Sequence, residues 1–183
     1  MKKFRKIVLM VVLTLCMGCA KQEVNIKEDK ILILYFSVTG TTKEVAEKIS
    51  EELDADLFEI VCKEPYTEKD IDYTDANSRA YKEQKDDSSR PAIADMVDLS
   101  KYDTIFIGHP IWFSKEPRII DTLMENYDFS NKNIAHFCTS GGSGIETSDN
   151  NIKAYVKDAN WLGSRCIKDK DEICDWLKEL GVK

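Results

Sequence analysis

The sequence predicts an α/β fold, a doubly wound five-stranded parallel sheet with helices on both faces. Three observations lead there. Apolar runs of β-forming residues alternate along the chain with segments whose apolar residues recur on one helical face. Alternation of this kind implies right-handed βαβ crossovers and a sheet covered on both sides. The stretch from Lys30 to Lys183 spans 154 residues, which suits one domain of about 100 to 200 residues.

The elements follow in order. ILILYFS at 31–37 is a nearly continuous apolar run and predicts a strand buried on both faces. Thr42 to Leu53 places Val45, Ala46, Ile49 and Leu53 on one helical stripe. DLFEIVC at 56–62 is the second strand. The polar stretch 63–100 is longer than a crossover needs; residues 73–87 are expected to be helical, as a solvated crossover rather than a lid. YDTIFIGHPIW at 102–112 holds the third strand, which Gly108 and Pro110 are expected to stop. Pro117 opens a helix carrying Ile119, Ile120, Leu123, Met124 and Tyr127, because its missing donor is harmless in a first turn. The fourth strand is NIAHFCTS at 133–140, followed by a loop at 140–144 and a helix near 148–159. GSRCI at 163–167 is the fifth strand. A last helix, Asp171 to Leu180, stripes Ile173, Trp176, Leu177 and Leu180, and Gly181 terminates it.

Residues 1–18 have a different character. Lys2, Lys3, Arg5 and Lys6 precede the apolar run 7–17, and the small residue Gly18 stands before Cys19, the order of an export signal. The run is too short to span a bilayer of about 30 Å. Cys19 resembles the modified cysteine of bacterial lipoproteins, although Cys16 stands where leucine is usual. The resemblance implies a lipid anchor on Cys19, a polar tether at 19–29 and a soluble domain, 30–183, outside the cytoplasm but held at the membrane.

Composition narrows the partners. The chain carries 26 basic and 33 acidic side chains, and without residues 1–18 the balance is 22 to 33, or −11. Such a surface argues against nucleic acid and anionic membranes. The 43% apolar content supports a core, and four prolines with no low-complexity run exclude a disordered chain. Cys62, Cys138, Cys166 and Cys174 match no zinc spacing; four thiols allow three full pairings, and the spacing selects none, so buried free thiols are expected.

In a doubly wound sheet ligands bind beyond the carboxyl ends of the strands, which directs attention to three loops. Ser37, Val38, Thr39, Gly40, Thr41 and Thr42 join a buried strand to a helix start, where unpaired N–H groups and the helix dipole favour a phosphate. The loop has no lysine and is neither a Walker loop nor a dinucleotide turn. Pro110, Ile111, Trp112 and Phe113 follow the third strand; Thr139, Ser140, Gly141, Gly142, Ser143 and Gly144 follow the fourth.

Ser-x-Thr-Gly-x-Thr, Gly-x-Pro-Ile-Trp and Thr-Ser-Gly-Gly-Ser-Gly, in this order on these strands, resemble the flavodoxin-like FMN-binding proteins over Lys30 to Lys183. The resemblance implies the strand order 2-1-3-4-5 and non-covalently bound FMN. It assigns the phosphate to 37–42, one wall of the isoalloxazine to 110–113, and its pyrimidine edge to 139–144. Trp112 is suited to stacking on a planar ring. Many flavodoxins place a second aromatic in the loop after the fourth strand, whereas SGGSGIETSD has none. An open flavin face admits a quinone or NAD(P)H, so two oxidoreductive readings stand side by side. One is an electron carrier serving a redox protein; the other is an NAD(P)H-dependent flavin or quinone reductase. A third is a non-catalytic binding lipoprotein. The acidic surface would bias a bound flavin's potential downward. No catalytic side chain and no metal are required.

Other readings fail on the residues. Cys138 to Gly144 lacks the arginine of a Cys-x5-Arg phosphatase loop. Ser143 is no hydrolase nucleophile, since both histidines, His109 and His136, precede it. A response regulator would need an acidic pair after the first strand. His136 is expected to be a satisfied core histidine, and His109, beside the second loop, is a weak candidate for proton handling.

Overall fold

The computed structural model describes residues 30–183. The expected export signal, the expected lipid site Cys19 and the expected tether lie outside the described residues.

Five parallel strands form one sheet: β1 (Ile31–Tyr35), β2 (Asp56–Glu59), β3 (Thr104–Pro110), β4 (Asn133–Thr139) and β5 (Asn160–Cys166), in the order β2-β1-β3-β4-β5. Five helices connect and close it: α1 (Thr41–Leu53), α2 (Arg79–Lys85), α3 (Arg118–Asn126), α4 (Glu146–Tyr155) and α5 (Ile173–Glu179). The predicted architecture and strand order are those observed. Among the described residues no helix is long and apolar enough to cross a membrane.

The two cores show why the first strand is apolar throughout. Its side chains alternate between faces, as pleating requires. Leu32 and Leu34 join Ile105, Ile107 and Ile134 against Ile119, Ile120, Leu123 and Met124 of α3 and Ile152 of α4. Ile33 and Tyr35 join Phe106 and Phe137 against Val45, Ala46 and Ile49 of α1 and Ile173, Trp176 and Leu177 of α5. Both faces exclude water, so neither tolerates a polar alternation.

Four expectations need correction. β3 does not stop at Gly108 but runs through it and His109 to Pro110, because the glycine is an accommodation for packing: a Cβ there would lie 2.0 Å from Cζ of Phe137. β2 ends at Glu59, and the chain beyond it folds back. Cys62 makes an antiparallel bridge with Ile93, with Lys63 N–H donating to Ala92 O (2.7 Å) and Ala94 N–H to Val61 O (2.8 Å). β5 begins at Asn160 rather than Gly163, because backbone pairing with β4 extends upstream of the apolar run, and it pairs with β4 across a bulge at Ile134/Ala135. α2 is only seven residues long. Asp72 and Asp75 accept from the amides of Thr74 and Asn77, so side-chain turns displace the helix until Ser78 caps it.

The crossover 63–100 is also not simply solvated. Ser78, Ala80 and Gln84 are buried. Gln84 Nε2 donates to Glu116 O (2.8 Å), and Arg118 at the start of α3 donates to Glu83 O and pairs with Asp87 and with Asp121. The segment is thereby fastened beside the carboxyl ends of β1 and β3.

Candidate functional site

The first loop leaves β1 at Tyr35, and Ser37 Oγ then accepts from Gly40 N–H at 3.2 Å. Gly40 has a φ of 92°, a left-handed turn that favours glycine. It is also the N-cap of α1 and offers no side chain, so no side-chain cap covers the first amides of the helix. Those donors and the positive end of the helix dipole face the sheet edge, an arrangement suited to an anion. Thr39 and Thr41 carry hydroxyls 3.4 Å apart on the exposed side. Thr42 instead turns inward: it is buried, and its Oγ1 lies 2.8 Å from Thr139 Oγ1, tying the first loop to the third.

The second loop is a tight turn. Trp112 and Lys115 exchange backbone hydrogen bonds of 2.9 and 3.1 Å, and Phe113 (φ 50°) and Ser114 (φ 68°) both take left-handed conformations. Non-glycine residues hold such angles only where their surroundings over-determine them. Here the surroundings are aromatic. Trp112 packs edge-to-face on Phe36 (5.5 Å) and Tyr66 (5.2 Å), Tyr66 carries the Arg79 guanidinium over its ring (4.1 Å), and Phe113 meets Tyr81 edge-on (5.4 Å). The indole is held by two near-perpendicular ring contacts.

These loops enclose a cleft of about 420 Å³ lined by Thr39, Thr41, Pro110, Ile111, Trp112, Thr139, Ser140, Gly141, Ile167 and Lys168. The size falls in the range of about 300 to 1,000 Å³ usual for cofactor sites. The remaining expected residues lie around it. Ser37 and Val38 line a smaller recess of about 170 Å³ with Tyr66. Phe113 and Ser143 face a cleft of about 280 Å³ that shares Ile111 and Trp112 with the first and adds Ile71 and Tyr73. Gly142 and Gly144 line a further cleft with Ser140 and Cys166. Gly40 sets the turn, and Thr42 braces it from within.

Sequence reasoning missed Ile167, Lys168, Tyr66 and Tyr73. Lys168 was legible in part, since the carboxyl end of the fifth strand emerges on the same sheet edge as the other three. Tyr66 and Tyr73 carried no signal, being single aromatics in a charged stretch placed by the crossover's tertiary path.

The histidines sit beneath this site, both fully buried. His109 Nδ1 lies 2.9 Å from Pro110 O and its Nε2 lies 2.8 Å from His136 Nε2. His136 Nδ1 lies 3.1 Å from Asp149 Oδ1, while Lys153 Nζ donates to the other oxygen at 2.6 Å. A carbonyl can only accept, so His109 Nδ1 donates to Pro110 O and its Nε2 is left to accept from His136 Nε2. Burial, then the charge of His136, holds His109 down at about 3. Burial also lowers His136, with Asp149 opposing. Burial alone would push Asp149 up, but hydrogen bonds from His136, Lys153 and Ser164 hold it at about 2. His136 is the satisfied core histidine expected, and His109 is sealed away from the cleft.

The model of the flavodoxin family matches residues 30–180. Among solved structures, one from Bacteroides eggerthii assigned to the flavoproteins is 40% identical, with a TM-score of 0.79 over 85% of this chain and 100% of its own. One from Bacteroides uniformis, assigned likewise, is 37% identical, with a TM-score of 0.77 over 82% and 98%. A Lactobacillus acidophilus flavoprotein solved in complex with FMN is 30% identical, with a TM-score of 0.62 over 81% and 99%. No curated protein matches the chain.

Proposed function

The chain belongs to the flavodoxin family, and from that premise we propose that it binds FMN non-covalently in the cleft between 37–42, 110–113 and 139–144 and carries out oxidoreduction through it. One observation supports this most: an uncapped helix start, an aromatic-backed wall and a glycine-rich loop meet around one cleft of cofactor size. The L. acidophilus relative with bound FMN supports the choice of cofactor.

The chain's own residues fit that group. The first amides of α1, with the hydroxyls of Thr39 and Thr41, offer neutral donors to a phosphate monoester. Ile111 and Trp112 offer an apolar wall, which the ring contacts with Phe36 and Tyr66 hold in place. Ser140 and Gly141 bring backbone groups to the rim, where Lys168 adds a cation. FMN supplies reversible uptake of one or two electrons; the protein binds, orients and shields it.

The test is the visible spectrum of the purified protein and its titration with FMN. A yellow protein, or apoprotein that takes up added FMN, is expected. Trp112→Ala should weaken binding by about tenfold or more, the loss of an aromatic contact worth about 1.4 kcal/mol. A protein that takes up no FMN refutes the proposal.

The neighbouring cleft of about 280 Å³ favours a second reading, an NAD(P)H-dependent flavin or quinone reductase, because it borders the FMN cleft through Ile111 and Trp112 and is lined by Ile71, Tyr73 and Phe113. Rapid stoichiometric bleaching by NADH or NADPH alone would select the reductase; no bleaching would select a carrier serving a redox protein. Residues 1–18 are further proposed to direct export and Cys19 to take a lipid anchor, so the protein should fractionate with membranes and Cys19→Ala should release it.

A further inference from the structure

The sequence allows three full pairings of the four cysteines after Cys19, and the fold separates them. Cys62 belongs to the core on the α3 and α4 face, whereas Cys174 lies on α5 across the sheet. Cys138 of β4 and Cys166 of β5 are direct register partners. Side chains of partners on adjacent parallel strands share a face, and neighbouring strands lie about 4.8 Å apart, within the Cα separation that a disulfide spans. Both thiols are free, and Cys166 is among the groups that act on the Cys138 thiol.

The two are not equivalent. Cys138 is fully buried. Burial, then the contact with Cys166 and the nearby acids Glu146 and Asp149, pushes its thiol up. Cys166 is partly exposed and lines a cleft of about 420 Å³ with Ser140, Ser143, Glu146 and Lys168. A reacting thiol must be reachable, and of the two only Cys166 opens onto a cleft.

We propose that Cys138 and Cys166 form a thiol–disulfide site that reacts with external disulfides, with Cys166 as the attacking thiol and Cys138 as the resolving one. In the first step the Cys166 thiolate attacks one sulfur of an external disulfide; a mixed disulfide forms, and the departing thiolate takes up the proton Cys166 gave up. In the second step Cys138 attacks the Cys166 sulfur, the external group leaves as its thiol with the Cys138 proton, and the Cys138–Cys166 bond closes. The protein loses two protons and two electrons, which the external disulfide gains. Closure removes the hydrogen that Cys166 directs at Ser143 O (4.0 Å). Because Ser143 belongs to the loop assigned to the flavin, the pair's state would reach the FMN cleft; that consequence rests on the FMN reading, while the disulfide itself does not.

The experiment is incubation of the full chain with oxidised glutathione, alkylation of the remaining thiols and peptide mapping by mass spectrometry. A Cys138–Cys166 linkage with Cys62 and Cys174 still alkylated is expected, whether or not FMN is bound. Cys138→Ser should trap one glutathione on Cys166, and Cys166→Ser should leave Cys138 unmodified. Separate alkylation of Cys138 and Cys166 in the wild type, or a glutathione adduct on Cys138 in Cys166→Ser, would overturn the proposal.

Discussion

At the scale of single residues, the tightest constraints lie behind the site rather than in it. Gly108 exists to let the Phe137 ring pass: its missing Cβ would meet three ring atoms at 2.0 to 2.5 Å. A ring wedged between β3 and Trp176 cannot retreat, so Gly108→Ala should cost about 1 to 3 kcal/mol. Urea unfolding checks this, and Phe137→Leu in the same chain should return part of the loss. His109 makes stability depend on acid. Its folded value near 3 lies below the ordinary value of 6.5, so the unfolded chain binds the proton more readily. The neutral ring's contribution is complete above about pH 6.5 and declines as pH falls towards 3, by about 2 kcal/mol at pH 5. Comparing unfolding of the wild type and His109→Asn at pH 7 and pH 5 isolates that share; an identical pH response in both would contradict it.

At the scale of elements, the crossover 63–100 is the part whose role changed most between sequence and structure. Its charge suggested solvent. Yet Arg118, 6% exposed at the start of α3, reaches back to Glu83 O and Asp87 and also neutralises the buried Asp121. Removing it leaves Asp121 buried without its cation, which costs about 3 to 5 kcal/mol. Arg118→Met should therefore lower the unfolding midpoint and speed proteolytic cleavage within 63–100; an unchanged cleavage rate would show that α2 is held by its own packing of Ala80 and Gln84. The loops at the sheet edge were legible because turn chemistry is local: hydroxyls and glycine at 37–42 state a helix start in any context. The α2 boundaries were not legible, because Asp72 and Asp75 compete for backbone amides and periodicity does not register that competition.

At the scale of the whole molecule, charge is the property that reaches the site without touching it. Residues 30–183 carry 20 basic and 30 acidic side chains, a net −10. With FMN bound, such a field disfavours added negative charge and lowers the potential, and salt screens it over a Debye length of about 10 Å at 0.1 M. Raising ionic strength should raise the midpoint potential in a redox titration; a fall would point to Lys168 at the rim, rather than the net charge, as the dominant influence.

The sequence by itself determined the fold class and the set of loops at the carboxyl strand ends, because both rest on local rules of alternation and helix starts; the strand order followed only from the family resemblance that those loops carry. Tertiary structure alone decided the rest. It turned Thr42 inward to Thr139, sealed His109 behind Pro110, set Tyr66 against Trp112, and made register partners of two cysteines 28 positions apart in sequence. Contacts of that kind depend on how neighbouring strands align and on the path a long crossover takes, and no local pattern along a single chain records either.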